Sequence, residues 1–475
     1  MSTASVIIVG AGIAGIASGA KLLENGINNI ILLEAEDRIG GRIHTVPFGE
    51  NRVDLGAQWC HGKENNIVYE MVESDTLEET SVDVSRMSFV RSDGTLLDGR
   101  QCEPLMSLCT YILENNRDEL NSYQGPIGAF LIQKYRDAIQ EPAFDEIDLE
   151  LRQSAYCASD SMFDLSGYGY TKFKECSGPA MLNWKDQGFR SIIDYVTKKR
   201  PHANRYLNVE EKIQINKEVT NIDWSRSADE AVTVKCSDGT EYNADHVIVS
   251  VPLGVLKHNY MTLFTPQLPK IKKNAIQGIS FGTVGKIYLE FEKPWWPNDW
   301  VGLSLVWTKE DIEKIKSTEN YWFVMLMKMF AGLESIFGFH SVDYQPNVLC
   351  GRIYGPKVLC MELLDDETII NGCMFLFEKF LSNLMNFTLP INVQTSRWAT
   401  NKHFLGSYSF HSITTDLLKT SSEDLAHPIY DPLGRPCVLF AGEATHSDFF
   451  STVHGAIESG YREARRISSL YGKQN

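Results

Sequence analysis

The residues from Val6 to Arg42 constrain the fold more than any other stretch of the chain. An apolar run, Val6–Val9, leads directly into Gly10-Ala11-Gly12-Ile13-Ala14-Gly15. A helix-like segment follows, and a second apolar run, Ile30–Leu33, ends at Glu34. This order predicts a strand, a glycine-rich turn, a helix and a second strand with an acid at its tip, which together form a dinucleotide-binding element.

Each part of this element has a physical role in holding a dinucleotide. Gly10 allows the tight turn, Gly12 lets the backbone approach a pyrophosphate, and Gly15 lets helix and strand pack closely. The N-terminus of the helix offers N–H groups and a partial positive charge to the phosphates. Glu34 can accept hydrogen bonds from ribose hydroxyls, and its charge disfavours a 2′-phosphate. An ordinary glycine-rich turn is the alternative, and the element alone leaves NAD open.

The length and the charge of the chain limit its class of function. At 475 residues it is too long for one compact core, so two or three domains are expected. The net charge of −16 argues against a nucleic-acid partner, because no basic excess exists to neutralise phosphates. This charge is compatible with a cationic substrate, although an acidic surface also serves solubility alone.

The cysteines and the absence of targeting signals bear on the compartment. The ten cysteines are scattered without a CxxC pair or a metal-ligand spacing, so reduced thiols and no metal site are expected. The first predicted strand begins after five residues, which leaves no room for a secretory signal. No apolar run reaches membrane-spanning length, and the last four residues are not a peroxisomal SKL-type address. These features predict a cytoplasmic protein.

Later segments predict a chain of two domains. A small β-meander begins near Ile213 and precedes the apolar run Val247–Val249, which is typical of a buried parallel strand. Helical spacing from about Leu105 to Tyr156 predicts a helical cap. The predicted fold class is α/β with an α+β second domain. A Rossmann-like cofactor domain comprises residues 1–78, 205–265 and 397–475, and a mixed-sheet substrate domain with the cap comprises residues 79–204 and 266–396.

Further side chains are candidates for chemistry, each with a plain alternative. Arg42 follows the second strand, where it could neutralise a phosphate, and a surface arginine is the alternative. His61 lies in the glycine-punctuated loop Leu55–Gly62, and a solvated histidine is the alternative. The dense aromatic set between Trp295 and Phe323 is typical of core packing, with pocket lining as the alternative.

Five segments together carry a family resemblance: Gly10–Arg42, Leu55–Gly62, Val249–Val255, Gly285-Lys286 with its strand, and Gly406–Arg466. With these segments the chain resembles the flavin-containing amine oxidases, and within them the animal polyamine oxidases of the spermine oxidase and acetylpolyamine oxidase group. The resemblance implies FAD as the cofactor, bound at the interface of two domains. It also implies that a polyamine or acetylated polyamine is oxidised by O2 to an aldehyde, a shorter amine and hydrogen peroxide.

The resemblance also implies roles for individual residues. The cofactor-binding positions correspond to Gly10, Gly12, Ala14, Gly15, Glu34, Arg42, Val219, Glu443, Thr452 and Val453. Lys286 matches a lysine that is linked through a water to flavin N5, where a cation stabilises developing negative charge. His61 matches a histidine that contacts the substrate nitrogen or helps to set its protonation. Tyr408 matches an aromatic wall in front of the flavin.

Two positions depart from the family pattern. Ser407 stands where monoamine oxidases carry the cysteine that attaches FAD, so non-covalent FAD is expected. Tyr170 stands where vertebrate polyamine oxidases carry a glutamate for a distal ammonium, and Glu175 is the nearest acid. The preferred amine therefore stays open.

Two further functions remain as alternatives. One is another flavoenzyme on the same scaffold, of the desaturase or protoporphyrinogen oxidase type, although Lys286 together with Trp59 and His61 argues against it. The other is a non-enzymatic flavin-binding interaction protein. The leading prediction is an FAD-dependent amine oxidase with a small cationic amine and O2 as partners. It is expected to act as a monomer or weak homodimer, without nucleic acid or membrane.

Overall fold

The structure is a computed structural model of the 475-residue chain. It describes residues 4–72, 76–80, 86–97, 108–138, 159, 161–199, 206–225, 231–311, 313 and 335–471.

The described chain contains 22 strands and 13 α-helices. The strands are β1 (Ser5–Val9), β2 (Asn29–Leu33), β3 (Thr45–Phe48), β4 (Asn51–Asp54), β5 (Glu78–Glu79), β6 (Ser88–Arg91), β7 (Leu182–Asn183), β8 (Ile213–Gln214), β9 (Val219–Asp223), β10 (Val232–Cys236), β11 (Glu241–Ala244), β12 (His246–Val249), β13 (Phe264–Thr265), β14 (Ser280–Gly282), β15 (Val284–Glu290), β16 (Gly302–Val306), β17 (Ile336–Val342), β18 (Gln345–Tyr354), β19 (Asn392–Thr395), β20 (Tyr408–Phe410), β21 (Ile429–Tyr430) and β22 (Pro436–Phe440). The α-helices are α1 (Ile13–Glu24), α2 (Ile67–Met71), α3 (Arg117–Leu120), α4 (Ile127–Ala138), α5 (Gly167–Tyr170), α6 (Ile192–Val196), α7 (Leu253–Leu263), α8 (Lys270–Gly278), α9 (Lys357–Glu362), α10 (Asp366–Leu381), α11 (Ile413–Leu417), α12 (Ser422–Ala426) and α13 (Val453–Tyr471).

The N-terminal strand lies inside a six-stranded sheet with the order β21-β22-β12-β1-β2-β8. All neighbours are parallel except the antiparallel pair β21–β22. Both faces of β1 are covered: Val6 and Ile8 share an apolar cluster with α1 and α13, whereas Ile7 and Val9 share one with the meander β9–β11. This two-sided burial explains why β1 is a continuous apolar run.

A second six-stranded sheet has the order β19-β15-β18-β17-β16-β6, and its strands are antiparallel except for the pair β16–β6. On β15, Ile287 and Leu289 pack against α10, whereas Tyr288 packs toward the hairpin β3–β4. Because side chains alternate between the faces of a strand, Lys286 shares the face of Tyr288. The sheet therefore places a lysine opposite the loop that follows β4.

The predicted cap and the aromatic set are described only in part. Helices α3 and α4 and the segment before α5 share an apolar cluster that includes Leu120, Leu131 and Met162. Residues 105–107 and 139–156 of the predicted cap lie outside the described residues. Trp295 and Trp296 pack against Phe291 in the core of the second sheet, as core packing predicts. The aromatic residues at 321–323 lie outside the described residues.

The described residues contain neither a candidate membrane span nor a candidate metal-ion cluster. No helix there has the length and apolar character that a bilayer crossing requires. Across the same residues, no cluster of histidine, cysteine and acidic side chains could hold a metal ion.

Candidate functional site

The glycine-rich turn joins β1 to α1 with little room for side chains. Gly10 has a φ of +102°, a conformation that favours glycine. A Cβ on Gly15 would lie 2.0 Å from the Gly10 carbonyl oxygen, so helix and turn meet at backbone contact. Around Gly12 the space is open, because a Cβ there would meet only the Gly41 Cα, at 3.8 Å. The turn therefore has free space at Gly12, where the sequence predicts the pyrophosphate.

Glu34 is buried at the carboxyl end of β2, beside the same turn. Its carboxylate accepts hydrogen bonds from the Ala11 N–H, at 2.7 Å, and from the Glu36 N–H, at 2.9 Å. Burial raises the pKa of Glu34, and the two N–H donors oppose that rise. Two backbone N–H groups thus fix the Glu34 side chain. Its oxygens have further lone pairs that can accept a hydrogen bond from a ribose hydroxyl.

An ion pair connects the end of the first element to the end of the chain. Arg42 donates from Nη1 to Glu443 Oε1, at 2.8 Å, and to the Ser407 carbonyl oxygen, also at 2.8 Å. The second oxygen of Glu443 accepts from Ser409 Oγ, at 2.6 Å, and from the Ser451 N–H, at 2.8 Å. The predicted cofactor residues Arg42, which is half-buried, and Glu443, which is buried, therefore form one junction.

The other predicted cofactor residues occupy different surroundings. Thr452 caps α13: its hydroxyl accepts from the Gly455 N–H at 3.0 Å, and Val453 is the first residue of that helix. Ala14 lies at the crossing of α1 and α13, where a Cβ on Gly460 would come within 2.3 Å of the Ala14 oxygen. Val219 begins β9, just after a segment that runs beside Glu34. Thr452 and Ala14 thus have structural contacts of their own.

Lys286 is buried beneath the loop that follows β4. Its ammonium donates to the carbonyl oxygens of Asp54, at 2.7 Å, and Gly56, at 2.8 Å, and to Gln58 Oε1, at 2.9 Å. All three ammonium protons are thereby committed to protein acceptors. Burial and, to a smaller extent, the neighbouring Arg352 guanidinium together lower the pKa of Lys286 to about 7. The ammonium is rigidly held and close to losing its charge at neutral pH.

His61 lies on the same loop, close to Ala180. Its Nδ1 lies 2.7 Å from the Ala180 carbonyl oxygen. A carbonyl only accepts, so Nδ1 carries the proton and Nε2 is free to accept one. The imidazole is exposed to solvent yet surrounded by protein, and this desolvation lowers the pKa of His61, while Glu175 opposes the shift. A neutral histidine with an open acceptor nitrogen lies on the same loop as the acceptors of Lys286.

Tyr408 and Ser407 lie at the start of β20, where the Ser407 carbonyl oxygen accepts from Arg42. Tyr408 pairs with Gly282 through β14 and β20. Ser407 Oγ accepts from the Val284 N–H at 2.8 Å, so the hydroxyl is directed at the backbone of β15. Tyr170 ends α5, which packs against the strand end that follows β20, because Ser166 donates its N–H to the His411 oxygen at 3.1 Å. Ser407 and Tyr408 are thereby fixed beside β15 and β14, and α5, which ends at Tyr170, lies near the end of β20.

The residues present fit FAD. The turn leaves space for a pyrophosphate at Gly12, and no described side chain caps the first turn of α1, so its N–H groups are available. The buried carboxylate of Glu34 lies beside the turn, within the region that the ribose of the cofactor would occupy. The donor set contains hydrogen-bonding and cationic groups suited to a phosphorylated nucleotide.

Several residues of this site were missed by the sequence analysis. Gln58 accepts hydrogen bonds from both Lys286 and Arg352. Asp54 lies beside Lys286, and burial raises the pKa of Asp54 to about 6. His454 is buried next to His61, and burial lowers its pKa to about 3. The position of Gln58 in the loop that also carries His61 was an available signal. No sequence signal indicated that Arg352 lies opposite Lys286 on the neighbouring strand, because the register between distant strands is not visible in one sequence.

Comparisons with known proteins agree with the geometry. The family model described as flavin containing amine oxidoreductase matches residues 13–468. The peroxisomal N(1)-acetyl-spermine/spermidine oxidase of Homo sapiens is 31% identical, and the alignment covers 99% of this chain and 96% of that protein. The Bos taurus protein of the same name is 30% identical, with 99% and 95% covered.

A solved structure supports the fold. A putrescine oxidase double mutant, redesigned in its cofactor binding, superposes with a TM-score of 0.70 at 15% sequence identity and covers 98% of this chain. The superposition also covers 99% of the putrescine oxidase chain. At this identity the match shows the fold alone, and the predicted fold class is confirmed.

The predicted cytoplasmic location is wrong. The human and bovine relatives, which align over 99% of the chain, are peroxisomal proteins. The physical reason is that peroxisomal addresses are short segments read by receptors, which leave the composition of the folded protein unchanged. Composition and the lack of a secretory signal therefore cannot separate the two compartments.

Proposed function

This chain belongs to the flavin-containing amine oxidoreductase family, and we propose that it oxidises a polyamine or acetylated polyamine. The overall reaction consumes O2 and yields an aldehyde, a shorter amine and hydrogen peroxide. The observation that carries this proposal is the buried Lys286 ammonium, held by three acceptors on and beside the loop that bears His61.

The broader predictions are confirmed. The chain is an FAD-dependent amine oxidase of the predicted family, and an amine and O2 are the partners of that chemistry. Neither alternative, another type of flavoenzyme or a non-enzymatic binding protein, is favoured by the comparisons. FAD, when bound, supplies the two-electron acceptor for amine oxidation.

In the proposed chemistry, His61 adjusts the protonation of the substrate. Removal of hydride from the carbon beside nitrogen requires a neutral amine, whereas polyamines enter as ammonium ions. The open Nε2 of His61 accepts a proton, and a lowered pKa keeps the imidazole neutral and ready to do so. Glu175 lies close enough to His61 to attract the ammonium groups of the substrate.

Lys286 and Tyr408 have different roles in this proposal. Lys286 contributes a fixed positive charge, which favours negative charge that develops nearby. Tyr408 offers an aromatic face along which a cationic amine can approach. These three residues, His61, Lys286 and Tyr408, are the proposed catalytic set.

We also propose the remaining sequence assignments. The cofactor contacts are those predicted from the sequence, from Gly10 to Val453, and the domain boundaries are those given there. The chain is proposed to act as a monomer or weak homodimer, without nucleic acid or membrane. Its net charge of −16 supports the lack of a nucleic-acid partner.

Non-covalent FAD is testable by denaturation. Precipitation of the holoprotein with trichloroacetic acid should leave all flavin absorbance in the supernatant, because Ser407 offers no thiol and its hydroxyl contacts the Val284 backbone at 2.8 Å. Monoamine oxidase, in which the flavin is covalently attached, is the positive control. Yellow colour retained in the pellet of this protein would contradict the assignment.

Two alanine substitutions in the glycine turn should have different effects. Gly12→Ala should preserve folding and lose FAD retention, because the new Cβ meets only the Gly41 Cα, at 3.8 Å, yet occupies the space of the pyrophosphate. Gly15→Ala should lower the melting temperature of the apoprotein itself, since its Cβ would lie 2.0 Å from the Gly10 oxygen. Thermal unfolding of both apoproteins and their FAD content measure this. Equal apoprotein stability in the two variants would contradict the prediction.

The proposed reaction is tested with a panel of amines. Spermine, spermidine and their N1-acetyl forms are mixed anaerobically with the holoprotein, and bleaching of the flavin is followed by stopped flow. Peroxide formation and the amine products are then measured in air. Failure of every amine to bleach the flavin would overturn the proposed function.

A further inference from the structure

Three consecutive carbonyl oxygens in the loop after β4 are held by two side chains. Lys286 donates to the oxygens of Asp54, at 2.7 Å, and Gly56, at 2.8 Å. The oxygen between them, that of Leu55, accepts from Trp398 Nε1 at 2.9 Å. A Cβ on Gly56 would lie 3.1 Å from the Trp398 ring. The acceptors of the Lys286 ammonium therefore lie on a short segment that the Trp398 side chain also holds.

Trp398 is itself fixed through its backbone by Glu362, the last residue of α9. The Glu362 side chain is fully buried. Its Oε1 accepts from the N–H groups of Trp398, at 2.7 Å, and Ala399, at 3.1 Å. Its Oε2 accepts from the Thr400 N–H, at 2.7 Å, and from the Thr400 hydroxyl, at 2.8 Å. All four groups donate, which suits a carboxylate because it only accepts.

The same segment is joined to Lys286 through the backbone. Ser396, two residues before Trp398, donates its N–H to the Lys286 carbonyl oxygen at 3.0 Å. In return the Lys286 N–H donates to Ser396 Oγ at 2.9 Å. The main chain of Lys286 and the acceptors of its ammonium thus both depend on residues 396–400. Glu362 fixes the far end of that segment.

The burial of Glu362 makes this arrangement rigid. A buried carboxylate is costly unless its oxygens are fully hydrogen-bonded, so few other positions of the four donors are tolerated. The position of the Trp398 indole is specified with them. A glutamine at this position would turn an NH2 group toward two of the donors, and the segment would have to move.

We propose that Glu362 is a positioning residue for the reacting centre: it holds Trp398 and, through Trp398, the loop that supplies the acceptors of the Lys286 ammonium. This inference rests on the function proposed above, in which Lys286 carries a positive charge. The acceptors favour the charged form of Lys286, so a loosened loop favours the neutral form. The other titratable and charged groups around Lys286, which the test leaves in place, are Asp54, Arg352, Cys350 and His340.

The pH dependence of flavin reoxidation measures this coupling. Photoreduced holoprotein is mixed with oxygenated buffer across the pH range in which Lys286 loses its proton. In Glu362→Gln the fall in rate should move to lower pH by about one unit, the size expected when one hydrogen bond to a charged group is lost. The matched control is Asp431, a buried carboxylate that also accepts backbone N–H groups, those of Leu433, at 2.9 Å, and Arg435, at 2.8 Å. Asp431→Asn should lower thermal stability and leave the fall in rate at the wild-type pH.

Hydrogen exchange measures the position of the loop independently of its chemistry. The N–H groups of Leu55 and Ala57 donate to backbone oxygens, at 2.9 Å and 3.2 Å, so their exchange reports on the loop. Exchange of the peptide that contains them should be faster in Glu362→Gln and in Trp398→Phe, which removes the indole N–H and keeps an aromatic ring. Asp431→Asn should exchange there like wild type. The double variant of Glu362 and Trp398 should exchange no faster than the faster single variant, because both changes break one connection.

The outcomes separate the positioning role from the proposed reaction. If no amine reduces the flavin while exchange and pH dependence respond as expected, the proposed reaction fails and the positioning role stands. Wild-type exchange of the loop in Glu362→Gln, or an unshifted pH dependence, would overturn the role. If Lys286→Met reoxidises as fast as wild type, hydrogen exchange alone decides. If Glu362→Gln does not fold, Thr400→Val, which removes only the hydroxyl donor to Glu362, takes its place in both measurements.

Discussion

Replacement of Lys286 by methionine should slow the reaction of the reduced holoprotein with O2 by roughly 10²-fold, with FAD content close to that of wild type. The factor is that expected when a preorganised electrostatic group is removed from an enclosed site. Methionine matches the length and burial of the lysine stem but carries no charge. Stopped-flow mixing of photoreduced protein with oxygenated buffer gives the rate directly.

The pH dependence identifies the charge as the cause. Burial disfavours the charged form of a base, so the pKa of Lys286 falls to about 7, with Arg352 lowering it and Asp54 opposing. Lys286 is therefore fully protonated below that value, and its positive charge is lost as the pH rises through it. The rate with O2 should fall over this range in wild type and stay flat in Lys286→Met.

Lys272 provides a matched control for this substitution. It is also a buried lysine whose ammonium donates to backbone carbonyls, those of Asp424, at 2.9 Å, and His427, at 2.6 Å, and burial also lowers its pKa to about 7. Lys272→Met should lower thermal stability without changing the rate with O2. Equal reoxidation rates in Lys286→Met and wild type would remove Lys286 from the chemistry.

The opening element could be predicted from the sequence because its constraints are local. Gly10 has a positive φ, and a Cβ on Gly15 would lie only 2.0 Å from the Gly10 oxygen. Both constraints follow from a tight turn between adjacent elements. Glu34 sits at the end of β2 for the same reason, since strand length fixes which residue reaches the edge of the sheet. Such signals need no knowledge of distant segments.

The surroundings of Lys286 could not be predicted in this way. Alternation along β15 indicates that Lys286 and Ile287 face opposite sides, but not what lies there. The first acceptor of its ammonium, the Asp54 oxygen, is 232 residues away in sequence. Arg352 reaches the site through strand register, which a single sequence does not reveal.

Thr452 shows a local signal that family resemblance obscured. A threonine just before a helix is a common N-cap, and its hydroxyl indeed accepts from the Gly455 N–H at 3.0 Å. The resemblance had assigned Thr452 to the cofactor, which stays a prediction. The structural contact explains the residue type without a ligand.

Glu443→Leu should destabilise the apoprotein by about 1–3 kcal/mol or more, because each buried donor that loses its acceptor costs that much. The substitution leaves the Arg42 guanidinium without its carboxylate, and it also strips acceptors from Ser409 Oγ, at 2.6 Å, and the Ser451 N–H, at 2.8 Å. Because these donors belong to segments distant in sequence, the junction contributes to the cooperative fold. Urea unfolding of the apoprotein, followed by tryptophan fluorescence, measures the loss.

A second carboxylate and a double-mutant cycle distinguish the buried pair from charge in general. Glu458 on α13 pairs with His446 at 2.9 Å, but its side chain is 31% exposed, against 6% for Glu443. Glu458→Leu should therefore cost less than about 1 kcal/mol. In the Arg42→Met, Glu443→Leu double variant the loss should be smaller than the sum of the single losses, because the unpaired cation is gone. Strict additivity would show that the two charges act independently, and the junction would then be only a set of separate contacts.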